Sequence, residues 1–133
     1  MLHGFAIAVH VVVAVLAVGL VGAIPLTARL ARRFAGQLPA AEGILGALVR
    51  SVQLGLFVML LTGVVLDFSV AGGYHRMAWF RASIAVLVFL GFCLGRARAA
   101  LRTHELGRVE AWGWAVCASV AVITTLMQLK PLL

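Results

Sequence analysis

Four long stretches without charged residues fill most of this chain, and they decide what it can fold into. Lys, Arg, Asp and Glu are absent from residues 4–28, 51–66, 82–95 and 111–129. A helix of about 20 apolar residues crosses the ~30 Å hydrocarbon core of a bilayer. The sequence therefore predicts an all-α integral membrane protein with four spans, at about residues 2–26, 43–66, 77–95 and 111–129.

Composition agrees with a single transmembrane domain over residues 1–133. The chain is 64% hydrophobic and only 11% charged, whereas a soluble domain has about a quarter charged residues. The connections between the four apolar stretches are short, and short connections join neighbouring helices that run in opposite directions. We expect an antiparallel four-helix bundle with up-down-up-down topology.

The net charge of +7 comes from arginines in the gaps between the spans. This placement follows the positive-inside rule and does not indicate a nucleic-acid binder. The residues that set the topology lie in the first and third connections: Arg29, Arg32, Arg33, Arg96, Arg98, Arg102 and Arg108. We therefore expect these connections to face the cytoplasm, where anionic lipid headgroups attract them. Both termini are then expected on the non-cytoplasmic side of a cytoplasmic (inner) membrane.

His10 is the histidine that lies most clearly within a predicted span. A polar ring in hydrocarbon is costly without a partner, and such residues often mark functional sites. Helical spacing places Ala6, Ala14 and Ala17 on the same face. These small residues could leave room for a flat macrocycle such as haem b, or they could let helices pack closely around a hydrogen-bonded structural His. Both interpretations stay open.

The predicted topology gathers more polar groups at the same end of the bundle as His10. A histidine and methionine site there suits copper, although an interfacial band of polar residues is the alternative. The candidate metal ligands are His3, His10, Asp67 and His75, and the candidate cofactor ligands are His10, His75 and Met127. His104, in the third connection, is expected to be solvated.

Two stripes of small or polar residues are expected to face the bundle interior, where Thr and Gln find partners. On the second span they are Gln53, Leu56, Leu60, Gly63 and Asp67, and on the fourth they are Gly113, Cys117, Ala121, Thr124 and Gln128. Pro25 is expected near the end of the first helix, where a missing backbone donor costs least. No nucleotide-binding loop or catalytic triad order is present, so whether the chain is an enzyme stays open.

Short motifs along the whole chain resemble a group of small membrane bundles. They are His10 followed by Pro25 and Arg29, the pair Thr62-Gly63, Trp79, and the ending Met127-Gln-Leu-Lys130-Pro131. The group includes HemJ-type protoporphyrinogen oxidases, CopD-like copper-resistance proteins and uncharacterised predicted integral membrane proteins. The resemblance implies that His10 ligates haem b. This chain has Ser83 and Leu94 where the HemJ type carries a Lys and a His.

Two functions therefore follow as expectations. The first is a haem- or metal-handling, redox-linked membrane protein that uses His10, with His75 or Met127 as the second ligand. The alternative is a non-catalytic accessory subunit of a larger membrane complex, or a subunit of a homo-oligomer. A transporter fits less well, because no span carries an acidic residue at mid-depth.

Overall fold

The computed structural model describes residues 2–34, 40–69 and 73–129 and confirms the all-α bundle. These residues form α1 (Leu2–Arg33), α2 (Ala41–Ser69), a 3-10 turn (Tyr74–Arg76), α3 (Ala78–Arg102) and α4 (Leu106–Leu129). All four helices are long and apolar enough to cross a membrane. A helix is one of the few structures that satisfies its backbone in lipid. The chain is a multi-pass membrane protein.

The helices form a ring of neighbours. α1 packs against α2 and α4, and α3 packs against α4, while α2 and α3 pack least closely. A hydrogen bond of 2.7 Å between His3 Nδ1 and Ser69 Oγ joins the start of α1 to the end of α2. We call the end of the bundle that holds Leu2 and Leu129 the terminal end, and the opposite end, which holds Arg33 and Arg102, the basic end.

The helices extend beyond the predicted spans at the basic end. Residues 27–33 were expected to form a loop, but α1 continues through them, and α3 continues to Arg102. Arginine and alanine are strong helix formers, and a cation is favourable near a helix C-terminus. The third connection shrinks to residues 103–105, where His104 takes a left-handed conformation with φ 57°.

Pro25 lies inside α1, and its expected position at the helix end is wrong. A proline has no N–H for the carbonyl four residues earlier, which here is that of Val21. The thiol of Cys117 on α4 donates to this carbonyl, with Sγ 3.8 Å from the oxygen. Gly113, one turn earlier on α4, lies directly against the Pro25 ring. The helix stays continuous because α4 supplies the donor and the space that Pro25 requires.

The tightly packed core occupies the half of the bundle nearer the basic end. Its buried side chains are Val21, Ile24, Ala28, Leu45, Val49, Val52, Leu90, Cys93, Leu94, Ala100, Val109 and Val116. In the terminal half, the buried side chains among the described residues are the small ones of Ala6, Ser83 and Ser119. The bundle is therefore closed at one end and looser at the other.

An ion pair ties α1 to α4 at the basic end. Glu110 is 14% exposed, and its Oε2 lies 2.8 Å from Arg32 Nη2, with Arg29 4.0 Å away from Oε1. The Oε2 atom is buried, and its contact with Arg32 falls outside hydrogen-bond geometry. His104 was expected to be solvated, and it is exposed but also contacts Glu42 at 2.9 Å.

Replacing Glu110 with glutamine is expected to lower the free energy of unfolding by about 1 kcal/mol, because the substitution removes the charge that attracts Arg32. The loss is not larger because Arg29 and Arg32 are exposed and water screens the pair. Unfolding in detergent micelles, followed by circular dichroism, measures this loss. The matched control is Glu105→Gln, which breaks a more exposed pair with Arg108. Equal stability of the two variants would show that the Arg32 contact contributes nothing special.

Candidate functional site

A cleft runs through the looser half of the bundle as two adjacent chambers that share lining residues. The central chamber has a volume of about 300 Å³ and the terminal chamber about 140 Å³. The residues that line both chambers are His10, Met59, Leu87, Ile123 and Met127. All four helices contribute to this junction. Small-molecule sites are commonly mostly apolar cavities of this size range with few polar groups.

His10 is placed at the junction by α1, with its predicted small neighbours beside it. Ala14 and Ala17, one and two turns further along α1, line the central chamber. The Ala17 methyl group also lies against Gly55 of α2, where an added Cβ would be 3.4 Å from it. Thus the small residues serve both interpretations at once, because they bring α1 close to α2 and also leave space beside the imidazole.

The imidazole is oriented by a hydrogen bond to α2. His10 Nδ1 lies 2.7 Å from the hydroxyl oxygen of Thr62. The same oxygen lies 2.9 Å from the carbonyl oxygen of Val58 and 3.1 Å from that of Met59. Both of those carbonyls are acceptors, and a hydroxyl has only one hydrogen to give. The hydroxyl therefore donates to its own helix and accepts from His10.

The two carbonyl acceptors beside the Thr62 hydroxyl favour one tautomer of His10. Nδ1 carries the hydrogen and donates it to Thr62, so Nε2 keeps its lone pair. The backbone carbonyl of Met59 is a second hydrogen-bond partner of this ring. A histidine that donates from one nitrogen to an oxygen and offers the other is the arrangement found in metal and haem ligation. The cleft therefore contains one oriented nitrogen donor among apolar walls.

Aromatic residues from the 3-10 turn and the start of α3 line the terminal chamber. The ring centroids of Tyr74, Trp79 and Phe80 lie within 6.1 Å of each other. Ser83 also lines this chamber, and its hydroxyl donates to the Trp79 carbonyl at 2.8 Å. On α2, an added Cβ at Gly63 would meet nothing within 4 Å, so the chamber is open beside it.

The structure separates most of the predicted metal ligands. His3 bonds to Ser69, and it lies seven residues from His10, which is about 10 Å along a helix. Asp67 accepts a hydrogen bond of 3.0 Å from the backbone N–H of Tyr74. The described part of the chain contains no group of three or more His, Cys, Asp or Glu side chains that could hold a metal ion.

Of the predicted cofactor ligands, Met127 lines both chambers together with His10. The side chain of His75, like Lys130 and Pro131, lies outside the described residues. Met59 was not identified from the sequence, and only the packing of α2 against α1 reveals its place beside His10. The role of Thr62 was also missed, although it is the one threonine of the second span.

The two predicted interior stripes are only partly right. On α4, Gly113 is buried and Cys117 half-buried, but Ala121, Thr124 and Gln128 are exposed. The hydroxyl of Thr124 bonds to the carbonyl of Val120 in its own helix, so it needs no partner across the bundle. On α2, the fully buried residues Leu45, Val49 and Val52 precede the predicted stripe, and Leu60 is exposed.

Comparison with known proteins adds no assignment: no family model, no curated protein and no solved structure matches this chain.

Proposed function

We propose that this protein binds a haem of the b type within the membrane, with His10 as an iron ligand, and that it takes part in electron transfer there. The observation that supports this most directly is the hydrogen bond between His10 Nδ1 and Thr62, which orients the imidazole in an apolar cleft. A purely structural hydrogen bond between His10 and Thr62 needs no cavity beside it, whereas His10 lines both chambers.

The donor set favours haem over a bare metal ion. A protein site for zinc or copper normally supplies three or four ligands of its own. Haem iron already has four porphyrin nitrogens and needs only one or two protein ligands. The cleft offers one imidazole nitrogen and the thioethers of Met59 and Met127. We therefore propose haem, and not copper, as the group that this cleft binds.

The residues of the cleft each have a task in this proposal. Thr62 holds the ring of His10 in one tautomer, and the apolar walls exclude water from the ligand. Met127 on α4 is the candidate second ligand, and a methionine ligand would raise the reduction potential of the haem iron. The haem would supply one-electron chemistry, which no side chain here provides.

Thr62→Val is expected to weaken haem binding by about 10–100-fold, because the imidazole loses the acceptor that orients it. Purified protein in detergent is titrated with haemin, and the Soret absorption gives the Kd. Thr62→Ser restores the hydroxyl and should bind haem as the wild type does. The matched control is Thr125→Val, since the Thr125 hydroxyl bonds only to the Ala121 carbonyl in its own helix.

The wild-type titration is the direct test of the proposed function. A saturable Soret band with the shape of ligated haem supports it. A wild-type protein that shows no more absorption than haemin in empty micelles contradicts it, as would equal affinity of the wild type and both valine variants.

The alternative function, an accessory subunit of a larger complex, is favoured by a different feature. A shallow groove of about 660 Å³ runs between α1 and α4 on the outer surface. Gly22, Ala121 and Cys117 lie along it, and small residues of this kind let a further transmembrane helix approach closely. Co-purification with another membrane protein at fixed stoichiometry supports this function, and a monomer after mild extraction argues against it.

A further inference from the structure

The terminal chamber lies between the two neighbouring helices that pack least closely, α2 and α3. Leu60 and Val64 of α2 and Ile84 of α3 line the chamber, and each is also about 40% exposed on the bundle surface. Side chains that border both the chamber and the surface form the rim of an opening. The chamber therefore opens sideways between α2 and α3.

The rim of this opening is apolar and is set back from the end of α2. Gly63 lies six residues before the end of α2 at Ser69, which corresponds to about 9 Å along the helix. The rim residues are aliphatic, and α2 carries no charged residue between Arg50 and Asp67. A molecule that passes this rim comes from the acyl-chain region of the bilayer.

Gly63 lines the terminal chamber with backbone alone, because glycine has no side chain. It is the one glycine among the lining residues, and an added Cβ would meet nothing within 4 Å. Beyond it, the junction residues His10 and Met59 lead to the central chamber. The open space at Gly63 thus lies in the same chamber as the imidazole.

We propose that the cleft takes up its ligand from the bilayer, between α2 and α3 and over Gly63, so that the ligand is a molecule dissolved in the membrane. Where that ligand is named as haem, the proposal rests on the proposed function. The lateral route itself depends only on the opening and its apolar rim, and it applies equally to an acyl chain.

Gly63→Leu is expected to slow haem uptake by about tenfold. Haemin is delivered from phosphatidylcholine vesicles to reconstituted protein, and the growth and decay of the Soret band are followed. A barrier at the opening slows uptake and release together, whereas a mere loss of space in the site speeds release. The matched control is Gly95→Leu, because an added Cβ at Gly95 also meets nothing within 4 Å. Equal rates for both variants overturn the proposal.

A second readout does not require haem. Trp112→Phe and Trp114→Phe leave Trp79, which lines the terminal chamber, as the single fluorophore. In vesicles of phosphatidylcholine with brominated acyl chains, Trp79 should be quenched, and Gly63→Leu should remove most of that quenching while Gly95→Leu does not. Unchanged quenching in Gly63→Leu overturns the lateral route even where haem binds. Lost quenching supports it even where haem does not bind.

A third variant covers the case in which Gly63→Leu does not fold. Ile84→Trp narrows the same rim from α3. Its effect is measured in the haem uptake experiment, which follows Soret absorption and does not depend on tryptophan fluorescence. The same slowing of uptake and release is expected. Rates equal to those of the wild type again overturn the proposal.

Discussion

His10→Ala is expected to abolish the Soret band of the haem-loaded protein while the bundle remains folded. The substitution removes the nitrogen donor at the junction of the two chambers, and the described residues that line the cleft include no other imidazole. Thr62 keeps its bonds to the carbonyls of Val58 and Met59. No buried hydroxyl is left without a partner, so the structural cost stays small.

The absorption spectrum and the circular dichroism spectrum are recorded on the same sample, which separates loss of haem from loss of structure. His3→Ala is the matched control, because His3 is also on α1 and bonds to a hydroxyl of α2, but it lies outside the cleft. Full haem binding by His10→Ala, or equal losses in the two variants, would refute the assignment of His10 as ligand.

Gly113→Val is expected to cause the largest loss of stability, about 3 kcal/mol. An added Cβ at Gly113 would lie 3.0 Å from both Cδ and the backbone nitrogen of Pro25. Neither atom can rotate away, because one belongs to a ring and the other to the main chain. α4 must then move away from α1, and the contact between the Cys117 thiol and the Val21 carbonyl breaks with it.

Unfolding in detergent micelles, followed by circular dichroism, measures this effect. Gly95→Val introduces the same side chain into α3, at a position where an added Cβ meets nothing within 4 Å, and it should cost little. The double variant Pro25→Ala with Gly113→Val removes the ring and should recover part of the loss. If Gly113→Val is as stable as Gly95→Val, the close approach of the two helices is not what holds them together.

The spans and their order could be predicted from the sequence because both depend on length and hydrophobicity alone. The ends of the helices could not, since the arginines that mark the membrane boundary also favour helix. α1 therefore continues to Arg33 instead of ending near Leu26. The position of Pro25 relative to the helix end was misjudged because the helix is longer than expected. The proline is tolerated inside the helix because Cys117, almost a hundred positions later, donates to the carbonyl that the proline leaves free.

The candidate site was predictable in part. His10 stands out as a polar ring in an apolar stretch, and its small neighbours follow from helical spacing. Thr62 and Met59 do not stand out, because their roles depend on how α2 is rotated against α1. The α4 stripe failed because a threonine hydroxyl can bond within its own helix, so a polar residue there does not mark the interior.

The contacts of Pro25 with Gly113, and of the Cys117 thiol with the Val21 carbonyl, also restrict which residues related sequences can carry at positions 25, 113 and 117. A proline at 25 selects for a thiol or hydroxyl at 117 and for the absence of a side chain at 113. A side chain at 113 would clash with the proline ring, and an apolar residue at 117 would leave the Val21 carbonyl without its donor. Once position 25 regains an amide hydrogen, the other two positions are released together. In evolving sequences these three residues should be exchanged as a set.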